Sequence, residues 1–230
     1  MGEGSASAAA PRGGDGCGPR AIPGNAAPAP DARPATEILA QNRRVSTPFM
    51  VAKTQRIADK AWDKFYKAHE DRFFKDRHWT DREFDELAAV ADALSGAPVL
   101  LEVGCGVGNT VYPLLEKNRA LRVHCCDFSP RAVDLVTRHP AYDAARVNAF
   151  EYDLRTCDGA ALCAALAARA WPAVTTLSLI FVLSAIPPHE HEAVLRALVD
   201  VLPAGATVVF RDYARADLAQ LRFHTRKDAQ

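Results

Sequence analysis

The sequence predicts an α/β fold built on a parallel sheet with helices on both faces. Five short apolar runs alternate with helical segments, and the first run ends in a glycine-rich turn that opens a helix. Acidic residues close the second and third runs, where sheets of this kind gather their ligands.

The elements follow in chain order. Residues 1–42 read as a disordered tail. Its first 36 residues hold 10 Ala, 7 Gly and 6 Pro, with Ile22 their only Ile, Leu, Val or aromatic residue, so burial cannot offset the entropy of ordering them. Residues 43–95 read as a basic helical segment. Between positions 43 and 82 there are 11 Lys/Arg against 6 Asp/Glu, in a chain that carries 28 of each. Ile57, Ala58, Ala61, Trp62, Phe65 and Tyr66 recur at helical spacing and predict an amphipathic helix over about 53–70, followed by a helical stretch near 80–94.

The core is assigned to 96–230. Its apolar runs lie at 98–103, 121–126, 146–152, 174–183 and 206–211, and its helices are expected near 108–117, 129–138, 158–170 and 188–201. The run Leu177-Ser178-Leu179-Ile180-Phe181-Val182-Leu183 is nearly continuous, as a strand buried on both faces should be.

Composition excludes several classes. A balanced charge argues against a protein that coats nucleic acid throughout. The longest nearly apolar run, 174–186, falls short of the roughly 20 residues of a membrane helix. The six cysteines show no Cys-x-x-Cys pair and no Cys/His ligand spacing, so no metal site is expected, and reduced thiols point to a cytoplasmic chain. His189-Glu190-His191-Glu192 follows two prolines and reads as a helix start, where acids are favoured.

The sharpest local signal is Glu102-Val103-Gly104-Cys105-Gly106-Val107-Gly108-Asn109, where strand gives way to a turn that backbone can share with a ligand. A dinucleotide loop would want Gly or Ala where Asn109 stands, which disfavours NAD. Asp127, ending the second run, is placed to accept two ribose hydroxyls. Asp153, with Leu154, is placed to accept from an adenine amino group while the apolar neighbour covers the ring. Either acid would also serve as a strand-end helix cap. Glu-x-Gly-x-Gly-x-Gly resembles the S-adenosylmethionine (SAM) loop of class I methyltransferases.

A more specific resemblance covers about residues 45–223. Trp62-Asp63-Lys64-Phe65-Tyr66-Lys67, Arg72-Phe73-Phe74-Lys75-Asp76-Arg77-His78-Trp79, the glycine loop, Cys126-Asp127-Phe128-Ser129-Pro130, Ile180-Phe181-Val182-Leu183-Ser184 and Phe210-Arg211-Asp212-Tyr213 resemble the methyltransferase-like tRNA 3-methylcytidine methyltransferases. The resemblance implies a class I SAM-dependent, Rossmann-like fold that methylates N3 of a cytosine in a tRNA anticodon loop. Trp62, Tyr66, Glu102, Gly104, Gly106, Asp127, Asp153, Leu154 and Ile180 would hold the cofactor, with the helix of Trp62 as its lid. Arg72, Lys75, Arg77 and His78 would meet tRNA phosphates, or else form a solvated face. Arg211, Asp212 and Tyr213 would hold the base, unless Arg211 and Asp212 simply pair.

The chain departs from the family pattern at Thr175, where an Asp is usual, and at Pro203-Ala204-Gly205. The family also continues beyond Leu221-Arg222-Phe223, so the expectation is a sheet lacking its last strands and an exposed edge at 206–211. The alternative reading is a catalytically impaired fragment that binds tRNA or an aminoacyl-tRNA synthetase-type partner.

Overall fold

The computed structural model describes residues 47–69, 73–88, 97–214 and 217–220. The expected tail 1–42, Arg72, and positions 89–94 of the second helical stretch lie outside the described residues.

The five apolar runs form one parallel sheet of order β3-β2-β1-β4-β5. Its strands are β1 (Val99–Val103), β2 (Arg122–Asp127), β3 (Val147–Glu151), β4 (Thr176–Ile180) and β5 (Thr207–Arg211). Every residue of β1 and β4 is buried, which is why these runs lack apolar/polar alternation. The side chains nonetheless divide by the two-residue period. Val99, Leu101 and Val103 join Leu177, Leu179, Leu162, Val194 and Leu198 on one face, while Leu100 joins Val111, Leu114, Val123 and Val136 on the other.

Helix α1 (Pro48–His69) begins five residues earlier than its apolar spacing predicts, and the stretch after it forms two four-residue turns, α2 (Thr80–Glu83) and α3 (Asp85–Ala88). The crossover helices are α4 (Val111–Lys117), α5 (Pro130–Arg138), α6 (Gly159–Ala167) and α7 (His191–Asp200). Local chemistry fixes their starts. Ser129 Oγ accepts from the Ala132 amide at 3.4 Å with Pro130 at the first position, and Asp158 Oδ1 accepts from the Ala161 amide at 2.9 Å. His191 Nε2 lies 2.8 Å from the Leu183 carbonyl and 2.9 Å from that of Ile186, so the histidine motif holds a turn.

Thr175 stands at the opposite end of the sheet from the strand carboxyl ends. Its Oγ1 donates to the Val99 carbonyl at 3.0 Å and so ties the start of β4 to β1. Cys125 and Cys126 are fully buried packing residues of β2. β5 pairs with β4 alone among the described residues, leaving Val208 and Phe210 exposed.

Chain direction reverses its order of addition between β1 and β4, so the crevice of this sheet opens at the carboxyl ends of those strands. The candidate site lies there.

Candidate active site

A cavity of about 570 Å³ opens over the carboxyl ends of the strands, within the range of small-molecule sites. The turn after β1 forms its floor. Gly104 and Gly106 have φ of +64° and +55°, and a Cβ on Gly104 would stand 2.7 Å from Val182 Cγ2. Only glycine fits both demands. The Gly106 amide donates to Asp127 Oδ2 at 2.9 Å and the Ser129 amide to Asp127 Oδ1 at 3.0 Å, so one carboxylate ties the glycine turn to the start of α5. Burial pushes the Asp127 carboxyl above its ordinary value, against the pull of those amides.

The ends of β2 and β3 supply the next wall. Asp153 caps a short 3-10 turn and accepts from the Arg155 amide at 3.0 Å, while its Oδ2 meets Arg155 Nη2 at 2.6 Å. That guanidinium holds its carboxyl below the usual range. Leu154 is buried beside it.

Helix α1 closes the cavity from above. Trp62 and Tyr66 stack with centroids 6.1 Å apart, and the Tyr66 hydroxyl lies 3.0 Å from the place a Gly106 Cβ would take. Both rings line the cavity. Burial pushes the Tyr66 phenol up, so it stays neutral. Asp63 on the same helix meets Arg131 of α5 at 3.6 Å.

The segment around Arg77 is sewn into this site. Asn109 Nδ2 donates to the Phe74 carbonyl at 3.0 Å and the Arg77 amide donates to the Asn109 carbonyl at 2.8 Å. Arg77 Nη1 donates to Thr110 Oγ1 at 3.1 Å and to the Ile180 carbonyl at 3.4 Å. Arg77 therefore faces the cavity, where the sequence reading had it meeting phosphates. Lys75 also lines the cavity and is exposed, whereas His78 is exposed and does not line it.

Glu102 is likewise placed differently from its expected cofactor contact. It is 1% exposed and lies under the turn instead of lining the cavity, because it shares the β1 face of Leu100. Burial pushes its carboxyl up to about 7, with Arg77 and Thr110 opposing the shift. Its Oε2 and the Ser178 Oγ have no hydrogen-bond partner among the described residues, and the two residues are register neighbours on β1 and β4.

Of the three residues expected to hold the base, Tyr213 lines the cavity and the side chains of Arg211 and Asp212 do not. Arg211 lies 4.4 Å over the Trp79 ring and pairs with Glu83, while Asp212 accepts from the Ser184 amide at 3.0 Å and the Tyr213 amide at 2.8 Å. They brace the end of β5 through other partners and do not pair with each other.

Residues 101–227 match a methyltransferase domain family. The tRNA N(3)-methylcytidine methyltransferase trm141 of Schizosaccharomyces pombe is 47% identical over 180 residues, covering 78% of this chain and 69% of that protein. The chain belongs to the tRNA N(3)-cytidine methyltransferase family. Its member METTL6 of Mus musculus is 45% identical over 188 residues, with 81% of this chain and 64% of the relative covered, and METTL2 of Danio rerio is 37% identical over 217 residues, with 77% and 59% covered. The chain thus spans about two thirds of the length of the curated relatives it matches.

The glycine cradle fits the cofactor of a methyltransferase domain. Asp127 accepts the Gly106 amide on Oδ2 and the Ser129 amide on Oδ1 and lines the cavity where a ribose would sit, and Trp62, Tyr66 and Leu154 offer apolar cover. The sequence reading used Asn109 only to disfavour a dinucleotide loop and missed that its amide bridges to a segment 35 residues away. It also passed over Phe181, a cavity-lining residue with φ of +59°, a conformation costing about 1–2 kcal/mol for a residue with a Cβ.

Proposed function

We propose that this chain methylates N3 of a cytosine in the anticodon loop of tRNA, using SAM. The observation that carries the reading is the division of the cavity at the switch between β1 and β4. One half is the glycine turn with Asp127, Asp153 and Leu154, the other a set of aromatic and cationic side chains from the ends of β4 and β5 and the Arg77 segment. The first half suits a nucleoside cofactor and the second a planar acceptor.

When bound, SAM supplies a sulfonium methyl that the N3 lone pair attacks as the carbon–sulfur bond breaks toward sulfur. Cytosine N3 carries no proton, so no general base is required of the chain. Its residues position. Asp127 orients the ribose, Trp62 and Tyr66 exclude water above the turn, and the aromatic half receives a base unstacked from its loop. Exposed Lys75 at the cavity attracts the phosphate backbone.

Incubating the protein with SAM and bulk tRNA, then digesting the RNA for nucleoside mass spectrometry, tests the reading. We expect 3-methylcytidine. SAM consumption with methylation at another nucleoside position overturns the assignment of the acceptor atom.

A further inference from the structure

We propose that Phe181 is the wall against which the acceptor base stacks, and that its strained backbone exists to present that ring. The inference rests on the methyl-transfer reading above and adds a residue to it. Phe181 is the first residue after β4, and its amide donates to the Arg211 carbonyl at 2.8 Å, continuing the ladder to β5. At that point the backbone turns to φ +59°, a region that L side chains rarely occupy. A residue serving only as core would keep extended geometry and send its side chain into the sheet face, as Leu179 does.

The turn gives the ring a different setting. It lines the cavity, half-buried, with the Arg77 guanidinium 5.5 Å from its centroid and the Tyr213 ring 5.0 Å away at 44°. Arg77 is itself fixed by Thr110 and by the carbonyl of Ile180, the residue before Phe181. The ring is therefore in contact with both Arg77 and Tyr213, while Gly104, Gly106, Asp127 and Asp153 lie across the switch point at the ends of β1, β2 and β3. A planar ligand seated on Phe181 lies beside the cofactor half of the cavity without displacing it.

The chemistry suits an aromatic wall. Methyl transfer carries positive charge from sulfur onto the cytosine ring, and an aromatic face attracts a cationic ring more than a neutral one. An interaction that strengthens as the charge arrives speeds the chemical step and does more than tighten binding. Phe181 thus reduces both the cost of holding an unstacked base and the barrier to its methylation.

Four substitutions at this position and four readouts test this. Phe181→Leu keeps apolar bulk and removes the ring, Phe181→Tyr restores the ring, and Phe181→Gly removes the ring while relaxing the φ +59° backbone. With an RNA hairpin whose loop carries one pyrrolocytosine, we expect wild type and Phe181→Tyr to quench its fluorescence on binding. Phe181→Leu should bind the hairpin without quenching, since stacking on an aromatic side chain is lost. Transfer to tRNA should fall about 10- to 100-fold in Phe181→Leu and in Phe181→Gly. SAM affinity by calorimetry should stay within about twofold of wild type.

Phe181→Gly should also melt higher than Phe181→Ala, because both lack the ring and only alanine keeps the strain. Wild-type quenching and transfer in Phe181→Leu overturn the proposal. Full transfer in Phe181→Gly overturns it as well, since the ring is then dispensable. Wild-type protein that quenches the probe but forms no 3-methylcytidine leaves the stacking wall standing and rejects the N3 reading.

Discussion

Asp127 Oδ2 accepts the Gly106 amide at 2.9 Å, joining the end of β2 to the turn that follows β1. The acid that would select the ribose is thus also what shapes the loop beneath it, so cofactor recognition and loop geometry share one side chain.

Asp127→Asn tests that double role. The amide keeps one acceptor oxygen and presents a donor to either the Gly106 or the Ser129 amide, which are themselves donors. We expect SAM affinity by calorimetry to fall at least about tenfold, with charge-assisted bonds worth roughly 1.5–3 kcal/mol each. Unchanged affinity in the folded variant removes Asp127 from the cofactor site.

Glu102 predicts a stability change of a definite sign. Its folded carboxyl titrates near 7 because it is buried, well above the ordinary glutamate value near 4.3. Between these values the folded state holds a proton that the unfolded state has lost. The contribution of Glu102 to stability therefore declines as pH rises through that window, by an amount on the order of 3 kcal/mol. Glu102→Gln should melt above wild type at pH 8 and near it at pH 5. A variant that melts lower at pH 8 shows that the ionised pair with Arg77 is net stabilising.

His124 predicts the opposite slope. Its ring is buried in β2, with Nδ1 2.9 Å from Asn148 Nδ2 and Trp171 tilted against it at 4.7 Å. Burial first, then Arg169, pushes its pKa down to about 4. The folded state keeps the ring neutral while the unfolded chain takes a proton below about 6.5. Its stability contribution is thus complete above that pH and is lost as pH falls toward 4. In thermal melts from pH 7 to 5, Glu102 and His124 offset one another. Wild type should be nearly flat, Glu102→Gln should lose stability on acidification and His124→Gln should gain it. A flat profile in Glu102→Gln shows that the His124 ring is not held neutral, and one in His124→Gln that the Glu102 carboxyl is not raised.

The sheet was legible because parallel strands buried on both faces leave continuous apolar runs: β1, β3, β4 and β5 fall inside their runs and β2 passes the end of its run by one residue, Asp127. Asp127 and Asp153 were legible because strand ends mark the crevice. Phe181 was not, since an aromatic inside an apolar run reads as core until its φ is known. Glu102 was misread for a related reason. Strand parity, which places it with Leu100 beneath the turn, counted for more than its position in a glycine motif. Arg77 read as one cation among several because its partners Thr110 and Ile180 lie 33 and 103 residues away.

That difference between Arg77 and its neighbour gives a last prediction. Lys75 is exposed and lines the cavity, with no side-chain partner among the described residues, so we expect its charge to meet an RNA phosphate. Arg77 instead spends its guanidinium on Thr110 and the Ile180 carbonyl, bracing the cavity wall. Lys75→Ala should weaken tRNA binding and reduce the log–log salt slope by roughly 0.7–0.9, the signature of one phosphate contact, while leaving SAM affinity unchanged. Arg77→Ala should lower SAM affinity and the melting temperature, because buried Thr110 loses a hydrogen-bond donor and buried Glu102 a nearby half-buried cation. Its salt slope should move less than that of Lys75→Ala. If Arg77→Ala flattens the slope as much as Lys75→Ala with SAM binding and melting intact, the guanidinium leaves its protein partners to meet RNA, and the bracing role is wrong.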